Sequence, residues 1–184
     1  IKEYPTASAH SGHFRALLNE LALKKSFKPQ VVFIDYLNIC SSSRFKGGNI
    51  SSYFYIKAIA EELRGLAVEF DLPIFSATQT TRTGFVSTDI GLEDTSESFG
   101  LPATADFMFA LMSNEELEQL GQMKVKQLKN RYNDPSFHRS FILGVDRSKM
   151  KLYDVENNAQ NIVDKGTETK KEINPYDKFS DFKV

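Results

Sequence analysis

Residues 30–39 read QVVFIDYLNI, in which an apolar run at 31–34 is followed at once by a carboxylate, Asp35. A continuous apolar run of this kind is typical of a strand in a parallel sheet that is covered on both faces. In open parallel sheets, ligands bind outside the carboxyl ends of the strands, which is the position of Asp35. The stretch therefore predicts an α/β fold. Asp35 either holds a metal ion or has a structural role, capping the next element or pairing with a lysine.

The composition is that of a folded domain. The chain has 184 residues, of which 41% are hydrophobic, and a net charge of −1, so any contact with DNA must come from local loops. Its single cysteine, Cys40, excludes an intramolecular disulfide framework and fits a reducing cytosol. No apolar run approaches the ~18 residues of a transmembrane helix. The start, IKEYPTASAH, resembles neither a signal peptide nor a methionine start, which indicates a fragment.

Strand and helix patterns alternate through the first part of the chain. IKEYP predicts a short strand, and residues 13–25 predict a helix. A polar loop at 41–50 precedes a second helix, whose apolar residues recur at helical spacing: Tyr55, Ile59, Leu63, Leu66 and Phe70. LPIFSATQ and TADFMFALM predict further strands, separated by a polar loop at 80–98.

The C-terminal part of the chain predicts antiparallel strands and then a tail. The residues before the turn at Asn133-Asp134-Pro135 alternate as in a strand, and SFILGV and KMKLYDV predict closing antiparallel strands. We therefore expect residues 1–156 to form an α/β domain, with a mainly parallel sheet flanked by helices and antiparallel strands at its C-terminal end. Residues 157–184 are polar without periodicity and are expected to be a flexible tail.

Three further side chains bear on the chemistry of Asp35. Gln79 closes the second buried strand, where a carboxamide either orients a water or senses a γ-phosphate, or is an ordinary polar strand end. Lys129 and Arg131 are two apart on a strand, so they point the same way. They form either a solvated edge or a pair that reaches a neighbouring subunit's nucleotide. Asp106 is expected to be a cap or a loop salt bridge.

Taken together, four segments resemble the C-terminal RecA-like ATPase domain of the DnaB-like replicative DNA helicases, particularly those of tailed phages. The segments are VVFIDYLNI, IKAIAEELRGLAVEFDLPIFSATQ, SESFGLPATADFMFAL and KQLKNRYND, which follow one another in family order. The resemblance covers roughly residues 1 to 155. It implies a RecA-like P-loop NTPase fold, ATP and Mg²⁺ as cofactors, and a hexameric ring that couples ATP hydrolysis to translocation on single-stranded DNA and to duplex unwinding.

The resemblance also implies roles for individual residues. Asp35 matches the Walker B aspartate, which binds Mg²⁺ beside the nucleotide. Gln79 matches the glutamine that links the state of the γ-phosphate to the DNA-facing loops. Lys129 and Arg131 match a Lys-x-Arg pair that acts in trans on the ATP of the adjacent subunit.

Two loops, at 41–50 and 80–100, match the segments that line the central channel of the ring. Their cations, Arg44, Lys46 and Arg82, either contact DNA phosphates or are simply solvated. Glu97 and Gly100 match DNA-contacting positions, although SESFG lacks the arginine that many family members carry there.

A phosphate-gripping P-loop, Gly-x-x-x-x-Gly-Lys-Ser/Thr, does not occur in the chain, and no acidic residue matches the family's catalytic glutamate. We therefore expect the intact parent to be an ATP-dependent DNA helicase and this fragment alone to be inactive. We also expect apolar sheet surface to be exposed. The implied partners are single-stranded DNA, other ring subunits, and a primase, helicase loader or single-strand-binding protein. The implied location is the cytoplasm, that of the host for a phage protein.

Two alternatives remain open. One is a RecA-like recombinase-type ATPase, although the Lys-x-Arg strand and GLPATAD fit the helicase better. The other is a non-catalytic binding module built on half a RecA fold, in which NPYDKFSDFKV docks on a replication partner.

Overall fold

The computed structural model describes residues 1–45, 50–81, 90–95, 100–134 and 138–156. The chain divides into two compact units. Of the described residues, the first unit contains those within Ile1–Ala110 and Lys126–Arg139, and the second contains Leu111–Val125 and those from Ser140 to 156. The expected tail at 157–184 lies outside the described residues, as do Lys46, Arg82 and Glu97. None of the described helices is long and apolar enough to cross a membrane.

Helix α1 (Ser11–Lys25) confirms the predicted helix and begins at a reciprocal cap. His10 Nδ1 accepts a hydrogen bond from the backbone N–H of Gly12 at 3.0 Å, and His13 Nδ1 accepts one from the N–H of His10 at 3.3 Å. Ser26 caps the C-terminal end of the helix with a φ of 51°, in the left-handed region. Two lysines in the last turn place positive charge beside the negative end of the helix dipole, which is favourable.

Helix α2 (Ser52–Phe70) supplies most of the core of the first unit. The predicted stripe is confirmed at Ile59, Leu63 and Leu66, which are buried, whereas Tyr55 and Phe70 are partly buried. Gly100 begins the short helix α3 (Gly100–Thr104), and a Cβ at this position would lie 3.1 Å from the ring of Tyr53. The lack of a side chain at Gly100 therefore permits α3 to pack closely on α2.

Strands β1 (Val32–Ile34) and β2 (Ile74–Ser76) pair in parallel, with Phe33 opposite Phe75. The expectation that the first strand is covered on both faces is wrong for this chain. Phe33 is 73% exposed and Phe75 47% exposed, and their rings stack with centroids 5.2 Å apart. Alternation along each strand places these rings on a sheet face with no described residue over them, which confirms the expected apolar surface.

The remaining strands form a four-stranded sheet in the order β3-β4-β5-β6. Its members are β3 (Phe107–Met112), β4 (Gln122–Asn130), β5 (Ser140–Asp146) and β6 (Lys151–Asp154), with helix α4 (Glu115–Gln119) between the first two. The predicted antiparallel closing pair is confirmed in β5 and β6, where Gly144 faces Tyr153. The prediction of a strand at IKEYP is wrong. Residues 1–5 are not in a strand, and the Tyr4 ring packs against Phe14 instead.

The stacked Phe33–Phe75 pair predicts self-association of the chain. Replacing both rings, as Phe33→Ser with Phe75→Ser, removes exposed aromatic area from the sheet face and should lower the association constant measured by sedimentation equilibrium.

Phe54→Ser is the matched control, since Phe54 is 58% exposed but lies on α2. An unchanged association constant in the double variant, or an equal drop in the control, would contradict the role of this face.

Candidate nucleotide and DNA site

Asp35 and Gln79 lie at the same edge of the parallel pair. Asp35 follows the last residue of β1 directly, and Gln79 lies three residues beyond Ser76 of β2. Hydrogen bonds join the two chain segments past the strands: Leu37 N–H to the Ala77 carbonyl at 3.2 Å, and Gln79 Nε2 to Tyr36 Oη at 3.3 Å. The structure thus holds these two candidate residues at one edge, as the parallel pairing predicts.

The Asp35 carboxylate is exposed and makes no hydrogen bond or ion pair with any described side chain or backbone group. Among the described residues, neither the capping role nor the lysine pair weighed for it is observed. No group of three or more His, Cys, Asp or Glu residues in these ranges could form an all-protein metal cage. A single free carboxylate instead fits Mg²⁺, which usually keeps several waters and binds one or two carboxylates together with substrate phosphates.

Lys129 and Arg131 lie at the C-terminal end of β4, and both reach the segment before β3. Lys129 Nζ donates to the Pro102 carbonyl at 2.5 Å, and Arg131 Nη1 donates to Asp106 Oδ1 at 2.9 Å. Both cations therefore contact the stretch 102–106, although only Lys129 lies within the strand on which the two were predicted, since β4 ends at Asn130. No contact between described residues joins this pair to Asp35 or Gln79.

Asp106 accepts hydrogen bonds from two arginines, which confirms its expected salt bridge. Arg64 of α2 binds Asp106 Oδ2 at 2.7 Å and also donates to the Thr104 carbonyl at 2.8 Å, while Arg131 binds the other carboxylate oxygen. The hydrogen bond from Arg64 is the largest cause of a lowered pKa of the Asp106 carboxyl. Asp106 is therefore charged, with one arginine on each of its carboxylate oxygens.

Of the five residues matched to DNA contacts, the structure describes Arg44 and Gly100. Arg44 is half exposed, and its Nη1 lies 2.5 Å from Glu61 Oε2. Glu61 also lies 3.9 Å from Lys57 Nζ, so its charge is shared between two cations. Gly100 is buried where α3 meets α2, and only its backbone is available to a ligand.

Glu62 is the residue that sequence reasoning missed. It is only 9% exposed, and its carboxylate accepts hydrogen bonds from Ser42 Oγ at 2.6 Å, Ser43 Oγ at 2.7 Å, Ser43 N–H at 3.0 Å and Ser11 Oγ at 2.8 Å. A signal was present, because an acidic residue inside the apolar stripe of α2 requires buried donors and the triple serine at 41–43 supplies them.

These hydrogen bonds set the charge state of Glu62. Burial on its own raises the pKa of the carboxyl, but the donors on Ser42, Ser43 and Ser11 outweigh it and lower the pKa to about 2. The carboxylate is therefore ionised at neutral pH, and hydroxyls and backbone amides stabilise its charge.

The chain is similar to proteins of known type over most of its length. The DnaB-like replicative helicase of Enterobacteria phage T4 is 44% identical to it over 159 residues, which cover 86% of this chain and 34% of that protein. The predicted resemblance to DnaB-like replicative helicases is confirmed. The chain thus spans about a third of the length of this relative. No protein-family model matches the chain.

Two solved structures share the fold. A DnaB-like replicative helicase, studied with its primase interactions, superposes with a TM-score of 0.68 and 20% identity over 83% of this chain and 36% of the other. The second structure is an ATPase domain, which superposes with a TM-score of 0.67 and 20% identity over 80% of this chain and 52% of the other. The predicted RecA-like α/β fold is therefore confirmed.

The lowered pKa of Glu62 predicts an acid-dependent stability. Its folded pKa of about 2 lies below the ~4.3 of a free glutamate, so its contribution is complete above pH ~5 and is lost as pH falls towards 2. Glu62→Gln should lower the free energy of unfolding by up to about 3 kcal/mol at pH 7, and the difference from the unmodified chain should shrink between about pH 5 and 2. Urea unfolding at several pH values measures it.

Glu20→Gln is the control, because Glu20 forms an exposed ion pair with Lys24 and such pairs contribute little to stability. A Glu62→Gln deficit that stays constant down to the lowest pH would show that the charge of Glu62 does not stabilise the fold.

Proposed function

We propose that the chain is part of the ATP-driven motor of a replicative DNA helicase that moves on single-stranded DNA and unwinds duplexes. The observation that carries the proposal is the 44% identity to the phage T4 helicase over 86% of the chain, in a RecA-like fold with Asp35 and Gln79 at one strand edge. The same identity favours a helicase over the recombinase-type ATPase and the non-catalytic binding module.

Asp35 would hold Mg²⁺, which neutralises charge on the ATP phosphates when it is bound. Its free and exposed carboxylate supports this role. Gln79 would contact a water or the γ-phosphate through its carboxamide and carry the state of the nucleotide to the DNA-facing loops. The hydrogen bond to Tyr36 gives Gln79 a resting position beside the end of β1.

Lys129 and Arg131 would act in trans, on the nucleotide held by an adjacent subunit of a hexameric ring. In the chain described here both are satisfied internally, by the Pro102 carbonyl and by Asp106. Arg131 is 53% exposed, and its release from Asp106 leaves that carboxylate paired with Arg64. The exchange of Arg131 from Asp106 to a phosphate therefore does not strand an unpaired charge.

Single-stranded DNA would run past the loops at 41–50 and 80–100. Arg44, Lys46 and Arg82 would contact its phosphates, and Glu97 and Gly100 would lie on the same path. Other ring subunits and a primase, helicase loader or single-strand-binding protein are the proposed protein partners. The proposed location is the host cytoplasm.

We assign residues 1–156 to the RecA-like ATPase domain and 157–184 to a polar tail. Because residues 1–184 contain no P-loop sequence, this chain on its own should not hydrolyse ATP. Robust Mg²⁺-dependent ATPase activity of the isolated chain would contradict this assignment.

Subunit mixing tests the proposed motor in the intact protein that carries this chain. Asp35→Asn removes the proposed Mg²⁺ ligand within a subunit, and Arg131→Ala removes the proposed trans-acting cation. Each variant alone should lose ATP hydrolysis. Mixed rings should regain part of it, since an Arg131→Ala subunit keeps its own Asp35 and receives Arg131 from an Asp35→Asn neighbour.

Arg147→Ala is the control, because Arg147 is an exposed arginine paired only loosely with Glu118, at 3.2 Å. Mixed rings that stay as inactive as the two parents would contradict action in trans. Full activity in either single variant would contradict the role of that residue.

A further inference from the structure

Glu62 ties helix α2 to the beginning of the loop that carries Arg44. Its carboxylate accepts hydrogen bonds from the hydroxyls of Ser42 and Ser43 and from the backbone N–H groups of Ser43 and Arg44, the last at 3.3 Å. Consecutive donors on one short segment leave it little freedom to shift, because any displacement strands a buried charge.

The same carboxylate also reaches back to helix α1, through Ser11 Oγ at 2.8 Å. It therefore has two sides: a loop side at Ser42–Arg44 and a helix side at Ser11. Two bonds that bypass Glu62 complete the attachment, from Ser41 N–H to the Ala9 carbonyl at 2.7 Å and from Ser42 N–H to Tyr55 Oη at 3.1 Å. Arg44 is the first cation beyond these fixed points.

We propose that Glu62 is a positioning residue for DNA binding, which fixes the backbone at residues 42–44 so that the Arg44 guanidinium projects towards the DNA phosphates. This inference rests on the proposed function, in which the loop at 41–50 contacts single-stranded DNA. Glu62 itself touches no DNA, since its carboxylate is buried behind the loop.

The neighbouring acidic residue, Glu61, allows a positioning role of Glu62 to be distinguished from a simple effect of its charge. Glu61 and Glu62 are adjacent on α2, but Glu61 is exposed and holds the guanidinium of Arg44, whereas Glu62 is buried and holds its backbone. If only charge mattered, neutralising either carboxylate would strengthen binding to DNA. A positioning role predicts opposite signs: weaker binding for Glu62→Gln, and equal or tighter binding for Glu61→Gln, which releases Arg44.

The experiment measures binding of a fluorescein-labelled oligodeoxythymidylate of about 20 nucleotides to the intact protein by anisotropy at several salt concentrations. We expect Glu62→Gln to weaken binding roughly tenfold and to reduce the slope of log K against log salt by about one phosphate contact. Arg44→Ala should do the same. In the Arg44→Ala background, Glu62→Gln should then have little further effect, since it acts through Arg44.

The serines provide matched variants that preserve the buried carboxylate. Ser42→Ala removes a donor on the loop side and should weaken DNA binding, whereas Ser11→Ala removes a donor on the helix side and should leave the affinity unchanged. Thermal unfolding of each variant reports its effect on stability. Ser42→Ala also keeps the test available if Glu62→Gln does not fold.

Several outcomes would overturn the proposal. An equal loss of affinity in Ser11→Ala and Ser42→Ala would make Glu62 merely structural, and tighter binding by Glu62→Gln would make its effect one of charge alone. Additive effects of Glu62→Gln and Arg44→Ala would exclude action through Arg44. If Arg44→Ala binds normally with an unchanged salt slope, the proposed DNA contact at Arg44 fails and the inference fails with it. If Arg44→Ala alone weakens binding, the DNA contact stands and only the positioning role is rejected.

Discussion

Parallel pairing of β1 with β2 is the constraint on which the candidate nucleotide site depends. The register places Ile34 beside Ser76, so the residues that follow both strands emerge at one edge, with Asp35 and Gln79 among them. Helix α2 makes this pairing possible, because two parallel strands must be joined by a crossover connection and α2, with its buried stripe, forms that connection. The hydrogen bonds beyond the strands then hold Asp35 and Gln79 in place without engaging the Asp35 carboxylate.

The negative charges of two carboxylates, Glu62 and Asp106, are balanced in different ways. Glu62 is buried and balanced by hydroxyls and amides, which makes it a fixed attachment for the loop that carries Arg44. Asp106 is balanced by two arginines, one of which, Arg131, is half exposed. The hydrogen bonds around Glu62 resist movement of the loop, because their donors are hydroxyl and backbone N–H groups and not charged side chains that can exchange partners. The two ion pairs of Asp106 would permit the proposed exchange of Arg131, because Arg64 would remain its partner.

The features that local patterns encode were predicted from the sequence. The apolar run before Asp35 indicated the parallel strand, and the spacing of Ile59, Leu63 and Leu66 indicated the buried face of α2. The environment of Glu62 was not predicted, because it depends on serines that are far from it in the chain. The apolar run at 31–34 wrongly indicated a strand covered on both faces, because the exposure of Phe33 depends on what lies over the sheet and not on the pattern of the strand itself. The prediction of a strand at residues 1–5 is wrong, because a local sequence pattern alone does not supply a strand to pair with.

In the proposed function, Asp35 serves an ATP-driven helicase motor. The most direct test is unwinding of a forked DNA duplex by the intact protein and by its Asp35→Asn variant, over a range of Mg²⁺ concentrations and with ATP present. We expect that Asp35→Asn still binds single-stranded DNA but fails to unwind the duplex, or unwinds only at much higher Mg²⁺. Normal unwinding by Asp35→Asn at the same Mg²⁺ concentration as the unmodified protein would contradict it.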